Sequence, residues 1–419
     1  MRVLWFTNFP LSDVCVEIGI SPHAGGSWIY SLAKHVSLIN EIELSIISFY
    51  KNIEFAGIIN GINYIVLPSN LLSNRHLLTR KYCEIGDELE PDLLHIHGTE
   101  NVFGLYYMEV FPNLKSIVSI QGLVGICSRY FYGSISNLEL VRNTSLVECL
   151  KRNTFYHQKK NFVLKGKSEM MYFNKADFIL GRTNWDYSHS ISYNKSINYR
   201  FCNETLREEF YLSRKWSIQR KVDYTIFVSQ GSYPLKGFHI LLKAIALLKD
   251  EFPLVEIRLS GELFVRKPSI TDKFKITGYW YGKYIYSLIK KSNLSVTFLG
   301  VLNTDKMINE FLNCHVSICP SSIENSPNSI GEAQILGTPV IASFVGGVPD
   351  MIQHEVTGLI YRFEEPELLA NCIRKIFTNN GLVNEISKNS IRQASERHSL
   401  EKIVPDLVSI YSECSGKML

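Results

Sequence analysis

Nowhere does the sequence hold an uninterrupted apolar run approaching the ~20 residues of a membrane-spanning helix, so any membrane contact is expected to be peripheral. Metal-ligand spacing is lacking as well: the nine cysteines are scattered from Cys15 to Cys414, with no CxxC pair and no Cys/His pattern suited to zinc. No metal site is expected, and an odd number of scattered thiols reads most simply as a reducing, cytoplasmic setting. A strong charge of one sign is absent too. A formal charge of +4 on 419 residues does not argue for nucleic acid, and no base-reading motif accompanies it. The first residues, MRVLWFTNFP, carry one basic residue, a short apolar run and then proline, with no small-residue cleavage site after them. They read as a first strand rather than a leader.

What is present is ordinary globular composition, 46% hydrophobic and 20% charged, in a chain too long for a single core of ~250 to 300 residues. Short β-rich runs alternate with helical stretches at Val3–Phe6, Glu43–Ser48, Tyr64–Leu67, Leu93–His97, Ser116–Ile120 and Phe178–Leu180. Such alternation predicts a parallel sheet wrapped by helices. The pattern restarts at Tyr224–Val228 and continues through Val255–Leu259, Ser295–Leu299, Val316–Cys319 and Pro339–Ala342, so a second doubly wound α/β lobe is expected. The lobes are placed at residues 1–212 and 213–399. The last segment, residues 400–419, has apolar Ile403, Leu407, Ile410 and Tyr411 at helical spacing and can pack on either lobe.

The most informative stretch is CPSSIENSPNSIGEAQILGTPVIASFVGGVPD, Cys319 to Asp350. A strand end leads into a polar loop, and Asn328 or Ser329 stands at the expected N-cap of the helix IGEAQIL. Unpaired N–H groups of a first helical turn, together with the helix dipole, suit an anion such as phosphate. Glu324 in the loop and Glu332, expected in the first turn, are separated by seven residues. A carboxylate beside a phosphate seat needs a partner of its own, and the diol of a ribose or hexose is one. No acidic DxD cluster accompanies this seat, so activity without a metal or other cofactor is expected.

These segments resemble the retaining glycosyltransferases of family 4, whose fold is called GT-B and whose signature is two glutamates spaced E-x7-E. GTPVIAS, VGGVPDMI, HEVTGLIY, KGFHILLKAI and PDLLHIHG are similar to that family too, over nearly the whole chain. The resemblance implies two Rossmann-like lobes facing a central cleft, and transfer of a sugar from a nucleotide diphosphate donor with retention at the anomeric carbon. It implies that Glu332 holds the ribose hydroxyls and Glu324 contacts the donor sugar. Backbone amides from Asn328 through Ser329, Ile330 and Gly331 would hold the diphosphate, and Lys236 would offset charge on the leaving group. The pair Gly25-Gly26 resembles the family's glycine loop near the donor phosphate.

The chain also departs from the family pattern. Gly231 stands where an arginine is often found. Gln121 stands where a histidine is common near the transferred sugar; glutamine is no base, yet it can hydrogen-bond a hydroxyl, and the departing phosphate can itself take the acceptor proton. His97 ends a strand and is either available to the cleft or a satisfied structural histidine. GRTNWD and CNETLREEFY resemble a subgroup that acts in surface-polysaccharide synthesis, O-antigen (lipopolysaccharide) or capsule. Their Arg182 and Arg207 are either substitutes for the missing cation or members of structural ion pairs.

On the acceptor side, Lys151 to Lys167 contains six Lys or Arg and no Asp or Glu, interleaved with Phe155, Tyr156 and Phe162. Such a face suits a lipid-diphosphate-linked glycan acceptor or the anionic inner face of a membrane, or is simply solvated helix. Two competing functions remain: a sugar-nucleotide isomerase of the same fold, and a sugar-nucleotide-binding partner without catalysis.

Overall fold

The computed structural model describes residues 1–21, 27–261 and 279–417. It divides into two compact units, one of Met1–Gly125, Leu164–Glu208 and His398–Leu419, the other of Ile126–Val163 and Glu209–Arg397. The sequence reading places one cut after residue 212, whereas the chain passes between units four times, after residues 125, 163, 208 and 397. Residues 126–163 group with the second unit because they pack there. His239 Nε2 bonds the Gly133 carbonyl at 2.6 Å, and the Trp280 N–H donates to Glu148.

In the first unit, β1 (Arg2–Phe6), β2 (Glu43–Phe49), β3 (Phe55–Ile59), β4 (Ile62–Leu67), β5 (Leu93–His97), β6 (Ser116–Ser119), β7 (Phe178–Gly181) and β8 (Asn198–Phe201) form one sheet. Its order is β3-β4-β2-β1-β5-β6-β7-β8, parallel except for the edge hairpin β3–β4. Val3 to Phe6 and all of β5 are buried, as expected of parallel strands covered on both faces. The helix Ser27–Val36 and the terminal helix Leu400–Ser415 share a core with this sheet, through Trp28, Ile29, Leu32, Ile403, Leu407 and Tyr411.

In the second unit, β9 (Thr225–Val228), β10 (Glu256–Ser260), β11 (Ser295–Gly300), β12 (Val316–Cys319), β13 (Val340–Ser343) and β14 (Leu359–Tyr361) form an all-parallel sheet in the order β11-β10-β9-β12-β13-β14. The order reverses between β9 and β12, which turns the loops after both strands toward the same place, where open α/β sheets bind ligands.

Candidate active site

The loop after β12 leads into the helix Asn328–Leu336. The expected cap at Asn328 or Ser329 gives way to Pro327 (φ −70°, ψ 120°), with Asn328 already helical. Proline fixes an entry angle the helix accepts, and it has no side-chain oxygen with which to satisfy the first N–H groups. Ile330 N–H turns back to the Pro327 carbonyl at 3.0 Å, while those of Asn328 and Ser329 have no partner among the described residues. Two donors at a helix start are therefore open to an anion. Glu332 is the fifth helical residue, hence in the second turn rather than the first, and it is buried. Gly331, between it and the open amides, is buried as well.

The loop after β9 supplies the cation. A short 3-10 turn, Pro234–Lys236, ends at Gly237 in the left-handed region (φ 65°), where a Cβ would lie 1.7 Å from the Pro320 carbonyl oxygen. Only glycine allows that approach, which brings the two loops together. Lys236 Nζ then donates to Glu324 Oε1 at 2.6 Å, and Ser321 Oγ donates to the same oxygen at 2.7 Å. Both side chains are largely buried, 18% exposed for the lysine and 13% for the glutamate. Burial works to lower the lysine pKa, but the Glu324 charge outweighs it and holds the ammonium above its ordinary value. The main chain of Glu324 is pinned from the other side. Gly347 N–H donates to its carbonyl at 3.0 Å, and a Cβ on Gly346 would stand 1.9 Å from that oxygen.

Gly231 is explained by packing. A Cβ there would meet Leu259 at 2.9 Å and Phe238 at 3.0 Å, so the site has no room for an arginine. Arg182 takes the role of a structural ion pair. Its side chain is 3% exposed, it pairs with Glu204, and it donates to the backbone carbonyls of Ile120 at 2.5 Å and Gln121 at 3.1 Å. Arg207 is also buried. Gln121 Nε2 donates to Glu204 Oε1 at 2.8 Å. Glu204 was not singled out from sequence, although CNET, which holds it, was.

His97 is not an exposed strand-end histidine. Its ring is 2% exposed and packs against Trp5, Trp28 and His95, with neither nitrogen hydrogen-bonded. Burial, and then the charge of Arg182, push its pKa down to about 3, so the imidazole is neutral. It borders a pocket lined by Trp28, His95, Ser119, Arg182 and Glu204. Gly25 and Gly26 lie outside the described residues. Among the described residues, no three His, Cys, Asp or Glu group as a metal site would require, and no helix is long and apolar enough to cross a membrane.

Residues 211–393 match the model of the family described as glycosyl transferases group 1. An uncharacterized glycosyltransferase of Methanocaldococcus jannaschii is 24% identical over 373 residues, 84% of this chain and 85% of that protein. The alignment spans about half the length of several other curated relatives. Sucrose-phosphate synthase from Thermosynechococcus elongatus superposes with a TM-score of 0.73 at 16% identity, over 99% of this chain and 98% of that one. HepE of Anabaena, in complex with UDP and glucose, gives a TM-score of 0.68 at 16% identity, over 99% and 100%. Identities this low speak to the fold, two Rossmann-like lobes of the GT-B type, and the family match speaks to the second lobe that carries Lys236, Glu324 and Glu332. Residues 211–393 thus match the glycosyl transferases group 1 family, and the chain is similar to a glycosyltransferase over most of its length.

Proposed function

We propose that this protein transfers a sugar from a nucleoside diphosphate donor to a hydroxyl of a glycan or lipid-diphosphate-linked acceptor, with retention, in the synthesis of a surface polysaccharide such as O-antigen or capsule. The observation that carries the reading is the meeting of Lys236 with Glu324 on the loop that leads to two open amides and the buried Glu332. The UDP and glucose in the HepE structure support the donor class.

In this reading the Asn328 and Ser329 amides, with Ile330 and Gly331 following, hold the diphosphate, and Glu332 accepts from the ribose hydroxyls. Lys236 has three N–H donors, so it can keep Glu324 and also reach a phosphate oxygen. The bond from the anomeric carbon to the diphosphate breaks as the acceptor oxygen attacks the same face. The acceptor proton passes to the departing phosphate oxygen, and Lys236 offsets the charge that collects there. Glu324, fixed by Ser321 and Gly347, contacts the donor sugar. The diphosphate charge is met by lysine and amides, so no metal is required.

The inner face of a membrane is the proposed location of the acceptor. Leu138, Val141, Leu150 and Tyr156 are exposed in the same stretch of chain as Lys151, Arg152, Lys159 and Lys160, a pairing of apolar and basic groups that suits an anionic bilayer. Phe155 and Phe162 do not join it, because they pack against Trp280 and Phe131.

Incubating the protein with radiolabelled sugar nucleotides, with and without membrane extract and with EDTA, tests the reading. Label moving to extract, with an anomeric configuration matching the donor and undiminished by EDTA, is expected. An interconverted sugar nucleotide, or binding without turnover, would overturn it.

A further inference from the structure

Within the first unit, Ser119 ends a chain of hydrogen bonds that starts at the terminal helix. Trp5 Nε1 donates to Tyr411 OH at 2.9 Å, that hydroxyl lies 2.6 Å from His95 Nδ1, and His95 Nε2 lies 2.7 Å from Ser119 Oγ. Tyr411 takes the indole proton on its oxygen and so gives its own to Nδ1. Burial keeps His95 neutral, with a single ring proton, which this arrangement puts on Nε2. Ser119 Oγ therefore accepts from His95, and its own O–H is left to donate to something else.

Ser119 lines the same pocket as His97, Trp28, Arg182 and Glu204, all of the first unit. The pocket lies at the C-terminal ends of β5 and β6 and just past β7, neighbouring parallel strands, where open α/β sheets bind ligands. The His97 ring is 2% exposed, and neither nitrogen has a hydrogen bond. A neutral imidazole offers one donor and one acceptor, and buried polar groups of this kind are rarely left unpaired. Arg182 and Glu204 pair with each other, so together they add no net charge to the wall. The space suits a group about the size of one water.

We propose that this pocket is a binding site for a single neutral hydroxyl group. The hydroxyl oxygen accepts from Ser119, and the same group bonds a ring nitrogen of His97. Tyr411 and His95 are positioning residues that aim the Ser119 proton. An ion finds no countercharge there that is not already paired, whereas water and the hydroxyl of a sugar or polyol both fit. The site stands on the first unit alone, whether or not the chain transfers sugar.

Crystals of the whole chain, one set kept free of polyols and one soaked in glycerol, test this. An oxygen within about 2.5–3.2 Å of Ser119 Oγ and of a His97 nitrogen is expected. Its presence without polyol identifies water as the occupant, and its appearance only after soaking identifies a ligand hydroxyl. Either result supports the site, and a pocket dry in both sets overturns it. Ser119→Ala keeps the space and removes the donor, so the oxygen should be lost; an unchanged oxygen would overturn the part given to Ser119. Nitrogen-15 NMR of histidine-labelled protein reads the positioning role without any substitution. His95 should carry its proton on Nε2 with Nδ1 bare. The reverse tautomer would turn the Ser119 proton back toward His95 and overturn the relay.

Discussion

In the proposed reading Lys236 reaches the leaving phosphate, and the Glu324 carboxylate, which accepts from its ammonium, holds it in place until then. On that reading, removing the ammonium takes positive charge away from the departing diphosphate. Lys236→Ala should lower kcat by about a hundredfold, ~3 kcal/mol, while the donor KM moves much less, because the interaction strengthens as charge develops. Steady-state kinetics read this directly, and a change in KM alone would reassign the lysine to ground-state binding. Gly231 gives the opposite expectation. Gly231→Arg, which restores the residue often found in the family, should not raise activity and should lower the melting temperature, since even a Cβ crowds Leu259 and Phe238. The two glutamates and the lysine could be singled out from sequence because they lie beside helix starts in segments that resemble a known family, and the structure brings Lys236 and Glu324 together. Glu204 could not be, because its significance lies in a bond to Gln121, 83 residues away in sequence.

At the scale of elements, strands buried on both faces were legible as apolar runs, and of the four edge strands only β11 was, as Ser295–Leu299. β8, Asn198–Phe201, is half exposed and carries an arginine, and β14 is three residues long. β3 did leave a signal: Asn60-Gly61, with φ of 51° and 80°, is the turn of the β3–β4 hairpin, a pairing that strongly favours such turns. The short helix Val124–Cys127 depends on a distant carboxylate. Glu169, fully buried, accepts from the N–H groups of Val124 at 2.8 Å and Gly125 at 3.2 Å and from Thr99 Oγ1 at 3.0 Å. Burial pushes its pKa up to about 7 in spite of those bonds. The folded chain thus binds this proton more tightly than the unfolded chain does. The contribution is fully present below the unfolded value of about 4.5 and is lost as pH rises through about 7, on the order of 3 kcal/mol in all. Glu169→Gln should therefore gain stability relative to wild type as pH rises from about 5 to about 8. Thermal melts across that range check it, and a constant difference between the two proteins would show that the carboxylate is ionised throughout.

Over the whole molecule, the order of the chain and the order of its packing differ, and the terminal helix is where this matters most. Leu400–Ser415 follows the second unit in sequence but belongs to the first. There Tyr411 OH accepts from Trp5 Nε1 at 2.9 Å and lies 2.6 Å from His95 Nδ1. Indole only donates, so the tyrosine proton goes to the histidine, whose Nε2–H then serves Ser119 Oγ at 2.7 Å. A chain ending at residue 399 loses this link together with the buried side chains of Ile403, Leu407 and Ile410. Each of those apolar groups is worth about 1.5–3 kcal/mol, and a domain has only about 5–15 kcal/mol in all. The first unit of the truncated chain is expected not to fold. The second unit, whose segments Ile126–Val163 and Glu209–Arg397 are intact, is expected to keep one cooperative melting transition and its nucleotide binding, since Lys236, Glu324 and Glu332 all lie within it. Tyr411→Phe removes only the hydroxyl and should destabilise the first unit by about 1–3 kcal/mol, the toll of leaving buried donor and acceptor groups unpaired. Calorimetry of the truncated chain, with and without UDP, decides the matter. Two transitions surviving truncation would show that the terminal helix is dispensable to the first unit, and loss of both would show that the two units do not fold independently.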